Sequence, residues 1–123
     1  MANNGRSLGR RGEELAVAYL ENRDWTILAR NYRAGPKEID VVAGRGRVVA
    51  FVEVKTRATA TGGTPLEPIR WPKRRAVEEA ARRWILENGR PGTAYRFDAV
   101  AVRLRGGSHE IEHVADAWRP GSR

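Results

Sequence analysis

Apolar positions change their spacing several times along the chain, and each change marks a new element. Ser7, a residue type suited to an N-cap, opens a stretch in which Leu8, Leu15, Ala16, Tyr19 and Leu20 recur at spacings of three, four and seven. That is the mark of a helix with one buried stripe. Glu14 points away from the stripe, and Glu13 stands at its border. Residues 25–29 are rich in β-formers and predict a first strand, and Gly35-Pro36 places a loop over 32–37. Two further apolar runs, 38–43 and 47–56, flank Gly44-Arg45-Gly46 and predict a β-hairpin. Its second arm is apolar on both faces until Glu53, as in a central strand covered from both sides. Residues 57–70 have no periodicity and predict a long loop. Pro72 then starts a second helix over 73–87, with Ala76, Val77, Ala80, Ala81 and Trp84 on its buried stripe. Glu78 with Arg82, and Glu79 with Arg83, are spaced to pair on its outer face. A strand over 94–104, a Gly106-Gly107 turn and a last strand over 110–115 complete the chain.

The order α-β-β-β-α-β-β predicts an α/β fold, with a mixed sheet flanked by helices and at least one parallel connection. At 123 residues and 41% hydrophobic, the chain reads as one domain over 1–123, with 1–6 and 119–123 flexible. Its apolar runs fall well short of the ~18 residues of a membrane span, and its first residues lack a secretory pattern. The absence of cysteine excludes disulfides, thiolate zinc sites, iron–sulfur clusters and a cysteine nucleophile. A soluble cytoplasmic protein is the expectation.

Charge adds a partner. The net charge is +8 and the pI near 10.9, a balance that attracts polyanions, nucleic acid above all. Arginine supplies 20 of the 23 basic residues, a skew that genome composition can also produce. Arg70, Lys73, Arg74 and Arg75, around Trp71-Pro72, form the densest basic cluster and are candidates to track a phosphate backbone, with Trp71 able to stack on a base or to pack. Arg10 and Arg11, with Arg6, extend that surface near the first helix.

Three charged residues interrupt apolar strands. Glu53 and Lys55 share a strand face by alternation, and the hairpin brings Asp40 to direct or diagonal cross-strand distance from Glu53, roughly 5–8 Å. Two carboxylates so close need a compensating cation. With no Cys or His nearby, the donor set suits Mg²⁺ or Mn²⁺. Such an ion polarises a phosphoryl oxygen and activates water, with Lys55 orienting that water or offsetting charge on the phosphorane. Glu13 could ligate through water or hold a second ion. The competing reading is an internal salt bridge of Lys55 with Glu53 or Asp40. Against it, a chain that otherwise uses Arg has Lys at 55, where Arg's planar fork would suit a structural pair better.

Several blocks together carry a resemblance: Gly9-x-x-Gly12-Glu13-x-x-Ala16, Ile27-Leu28-x-Arg30-Asn31, Glu38-Ile39-Asp40, Phe51-Val52-Glu53-Val54-Lys55-Thr56-Arg57, Arg96-Phe97-Asp98 and His113-x-x-x-Ala117. They resemble the YraN-like bacterial family, assigned to the PD-(D/E)xK nuclease superfamily and similar to Holliday-junction resolvases and restriction endonucleases. The resemblance implies a restriction-endonuclease-like fold and a metal-dependent endonuclease acting on DNA, branched DNA included. It implies Asp40, Glu53 and Lys55 as the motif, Glu13 as a helix-borne acid, Mg²⁺ (or Mn²⁺) as cofactor, and a homodimer suited to two symmetric cuts. Lys37 departs from the family's usual Gly before Glu-Ile-Asp. The alternative is a non-catalytic nucleic-acid-binding module on the same fold.

Other residues have two readings each. Glu38 shares a strand face with Asp40 and could support the metal or pair across its hairpin. Asp98 could approach the site or be a hydrogen-bonded structural acid. His109 and His113 share a face, but two ligands do not make a zinc site.

Overall fold

The computed structural model describes residues 4–58 and 74–120. Its elements are α1 (Asn4–Glu21), β1 (Thr26–Ala34), β2 (Lys37–Arg45), β3 (Val48–Ala58), α2 (Arg74–Asn88), β4 (Ala94–Arg105) and β5 (Ser108–Trp118). The five strands form one sheet in sequence order, β1-β2-β3-β4-β5. β3 and β4 are parallel and the other neighbours antiparallel. This is the expected mixed sheet flanked by two helices, with α2 lying in the one parallel connection.

Alternation along the strands divides the core in two. Even positions of β3 (Ala50, Val52, Val54) pack with Ala16, Val17 and Leu20 of α1, whereas Phe51 packs with Val77, Ala80, Ala81 and Trp84 of α2. Ala50 through Glu53 are all buried, which makes β3 the central strand that its uninterrupted apolar run predicts. Phe51 anchors the α2 side. Its ring meets Trp84 edge-on with centroids 5.8 Å apart and lies 5.5 Å from Phe97, which stacks on Trp118 at 5.0 Å.

The structure corrects several local expectations. The α1 helix begins at Asn4, so Ser7 lies inside it, and Asn4 to Arg6 form its first turn rather than a loose lead-in. β1 continues to Ala34 where a loop was expected. Only Gly35-Pro36 turns, with Gly35 at φ +64°, because pairing with β2 extends the strand through residues of modest β preference. Arg57 and Ala58 belong to β3, while the rest of the expected loop, with Arg70, Trp71 and Lys73, lies outside the described residues, as do 1–3 and 121–123. The i,i+4 pairs expected on α2 are not formed. Glu79 Oε1 instead meets Lys37 Nζ at 2.6 Å, Glu78 Oε2 accepts the Trp118 indole N–H at 3.0 Å, and Arg83 pairs with Glu87. Tertiary partners thus take Glu78 and Glu79 from i,i+4 pairs, which are worth only ~0.2–0.5 kcal/mol, while Arg83 pairs at i,i+4 one turn further on.

One glycine sets how closely α1 approaches the sheet. A Cβ at Gly12 would overlap Thr56 Oγ1 and lie 2.7 Å from both Thr56 Cβ and Cγ2. Gly12→Ala should therefore destabilise the protein by about 1–3 kcal/mol, although Ala is the better helix former by ~1 kcal/mol. Urea unfolding of the two proteins checks this, and an Ala variant at least as stable as wild type would refute the close approach.

Candidate active site

The β2–β3 ladder runs from Arg45↔Val48 to Val41↔Val52 and then stops. The next residue on each strand is an acid, Asp40 on β2 and Glu53 on β3. Their carboxylates take over from the missing ladder bonds: Asp40 Oδ2 accepts the Val54 N–H at 2.8 Å, and Glu53 Oε2 accepts the Asp40 N–H at 3.4 Å. β2 also changes face here. Ile39 packs on the α2 side and Val41 on the α1 side, although residues two apart on a regular strand share a face. Asp40 sits at that change, where backbone pairing ends.

Glu53 is 5% exposed and Asp40 half-buried. Burial, reinforced by the charge of Asp40, pushes the Glu53 carboxyl up to about 8. Burial also pushes Asp40 up to about 6, against the lowering effect of the Val54 N–H. Lys55 is near enough to lower both, yet the ion pairs among the described residues include neither acid. The internal salt bridge that competed with a metal site is thus not formed. Two oxygen donors that resist ionising together suit a hard divalent cation, and Mg²⁺ commonly needs only one or two carboxylates.

Glu13 does not complete a three-acid cluster with the pair. Among the described residues no three acids or histidines are arranged to hold a metal together. The Glu13 charge still raises Asp40, and its Oε1 accepts the Asn31 side-chain N–H at 3.2 Å. An open cleft of about 610 Å³ adjoins it, lined by Arg10, Glu13, Asn31, Arg33 and Glu38 among others. The sequence reading met Asn31 only as part of the Ile27-Leu28-x-Arg30-Asn31 block and gave it no role. The available signal was an Asn inside a strand-forming run, a residue type that favours turns and left-handed backbone.

The remaining candidates separate. Glu38 sits opposite Arg33 and pairs with it at 3.8 Å across the β1–β2 hairpin. Arg10, Arg11, Arg74 and Arg75 are exposed, and the Arg74 guanidinium lies 5.5 Å from the Trp118 ring centroid. Asp98 is fully buried and structural. It accepts two bonds from Arg96 at 2.9 and 3.1 Å, one from the Asp116 N–H at 2.9 Å, and contacts His113 Nε2 at 2.8 Å. His113 Nδ1 meets the Tyr19 hydroxyl at 3.2 Å, so both ring nitrogens are engaged, and His109 is exposed. No helix among the described residues is long and apolar enough to cross a membrane.

Fold and site together define an α/β protein with a mixed five-stranded sheet and a buried acid pair where its central hairpin ends. Residues 12–102 match an uncharacterised protein family, UPF0102. Relatives that carry this family name include a Geobacter metallireducens protein, 38% identical over 118 residues covering 96% of this chain and 97% of the relative. A Myxococcus xanthus protein is 39% identical over 116 residues, covering 94% and 92%. One from Anaeromyxobacter dehalogenans is 42% identical over 119 residues, covering 94% and 89%. The chain belongs to the UPF0102 family.

Proposed function

We propose that this chain is a divalent-metal-dependent endonuclease of the PD-(D/E)xK type that hydrolyses phosphodiester bonds in DNA, branched DNA such as a Holliday junction included. The observation that carries the reading is the meeting of Asp40 and Glu53 where the β2–β3 ladder ends, with Lys55 in their field but paired to neither. Those two acids would hold Mg²⁺ or Mn²⁺, and the bound ion supplies Lewis-acid polarisation of a phosphoryl oxygen. Lys55, a compact cation in none of the ion pairs formed among the described residues, orients the attacking water or offsets charge that builds on the phosphorus. Arg10 and Arg33 beside the cleft, with Arg11, Arg74 and Arg75 exposed elsewhere, attract the phosphate backbone, as the +8 net charge favours. DNA as substrate puts the protein in the cytoplasm, and the symmetry of a junction favours two copies acting together.

A second reading, a non-catalytic nucleic-acid-binding module, is favoured by one observation: the +8 net charge, which attracts a phosphate backbone with or without a working acid pair. Cleavage of four-way junction, flap, duplex and single-stranded DNA with Mg²⁺ or Mn²⁺ separates the two. Divalent-dependent cutting, lost in Asp40→Ala and Lys55→Ala while binding persists, is the expected result. Binding without cutting by the wild type would establish the module instead, and failure to bind any DNA or RNA at moderate salt would remove both readings.

A further inference from the structure

Two consecutive acids of α1 meet two consecutive residues of β1. Glu14 Oε2 accepts from Arg30 Nη2 at 3.2 Å, and Glu13 Oε1 accepts from Asn31 Nδ2 at 3.2 Å. A regular strand cannot do this, because adjacent side chains leave it on opposite faces. The alternation breaks at Asn31, whose φ is +50°. The β1–β2 register passes there from Arg30↔Val41 to Tyr32↔Ile39, with no ladder pair joining Asn31 to Asp40. The distortion is therefore level with the aspartate of the acid pair. Non-glycine residues held in the left-handed region cluster at active sites, and Asn enters that region more readily than most residues.

We propose that Asn31 is a positioning residue for the nuclease reaction: its left-handed backbone turns the carboxamide onto Glu13, and the bond it donates fixes Oε1 and leaves Oε2 to accept from water or substrate beside Asp40. This inference rests on the nuclease reading above and extends it to a residue outside the Asp-Glu-Lys motif. A neutral donor is what the position needs. Lys or Arg would cancel the charge of Glu13, whereas the amide orients the acid and leaves that charge in place. Asn31 and Glu13 both line the open cleft, so the free oxygen is within reach of a solvated ligand. Arg30 and Glu14 make the parallel contact one residue earlier, a second tie between the same two elements.

The test uses the full chain and four variants: Asn31→Gly, which keeps the left-handed backbone and removes the amide; Asn31→Asp, which keeps size and backbone preference but loses the donor; Glu13→Gln; and Asn31→Gly combined with Glu13→Gln. Mn²⁺ binding is measured by calorimetry, and kcat and KM on whichever DNA the wild type cuts. The expected result is a kcat about 10-fold lower in both Asn31 variants with KM unchanged. Glu13→Gln loses at least as much, and the double variant loses no more than Glu13→Gln alone. A merely structural Asn31 would instead lower stability and multiply with Glu13→Gln, and that multiplication overturns the proposal. So does full kcat in both Asn31 variants of a wild type that cuts. A wild type that binds no Mn²⁺ and cuts nothing overturns the nuclease reading itself, and this inference with it.

Discussion

Glu53→Gln should raise the melting temperature of the metal-free protein at pH 8 and abolish its response to Mg²⁺. In the unfolded chain both acids ionise near the ordinary carboxylate range, whereas in the fold burial and mutual repulsion push Glu53 up to about 8 and Asp40 up to about 6. The folded protein thus holds more protons than the unfolded one across that interval, and this pair makes stability fall as pH rises from about 4.5 to about 8. Gln keeps the shape of Glu53 and can still accept the Asp40 N–H, but it never has to ionise. At pH 8 the gain should be roughly 2–4 kcal/mol, or roughly 5–15 °C in Tm. Mg²⁺ should stabilise wild type most at high pH, where the ion replaces the protons, and should leave the variant unchanged. Cleavage should drop at least ~10²-fold in the same variant. Calorimetric melts at several pH values, with and without Mg²⁺, measure all but the last. A wild-type profile that is flat between pH 5 and 8, relative to Glu53→Gln, would show that the acids are not held in an unfavourable pair.

Asp98→Asn should have the opposite pH signature and a large cost. Burial, the largest single influence on Asp98, would raise its carboxyl. The bonds from His113, Arg96 and the Asp116 backbone outweigh burial and hold it below the usual carboxylate range. A group lowered in the fold contributes stability that is present above its unfolded pKa and is lost as pH falls through its folded pKa. The amide cannot accept at both oxygens, and it leaves Arg96 and His113, 26% and 12% exposed, without their anion. About 3 kcal/mol should be lost near neutral pH, the range found when one partner of a buried pair is removed. The gap should close in strong acid, where Asp98 of the wild type is protonated as well. Denaturant midpoints at neutral pH and at successively lower pH test this. A variant within 1 kcal/mol of wild type at neutral pH would mean that Arg96 and His113 find solvent or other partners.

These two acids, in the same sheet and both buried, show how far a sequence can be read. Each interrupts an apolar strand, and spacing alone left both open to a structural or a site role. For Glu53 the hairpin brought Asp40 only to direct or diagonal distance, because the turn expected at Gly44-Arg45-Gly46 closes instead at Gly46-Arg47, with Gly44 and Arg45 paired in β2. Asp98 lies on β4, and its partners His113 and Asp116 come from β5 at a register that local spacing does not specify. Lys55 stayed open as well, because the choice between a salt bridge and a free cation depends on distances set by packing. Glu13 was legible as an acid at the border of a buried stripe. That it meets Asn31 rather than the acid pair was not legible, because this depends on a left-handed residue in another element and on the closeness that Gly12 permits.

The sequence by itself determined the element order, the central and doubly covered character of β3, the two buried helix stripes and the placing of Asp40 and Glu53 on neighbouring arms of one hairpin. Those follow from periodicities of two and 3.6 and from a short turn, all local properties of the chain. Only the tertiary structure decided where the β2–β3 ladder ends, that β2 changes face at Asp40, that Asn31 turns toward α1, and which acids meet cations. These outcomes depend on distances between segments far apart in the chain, and packing rather than local propensity sets such distances.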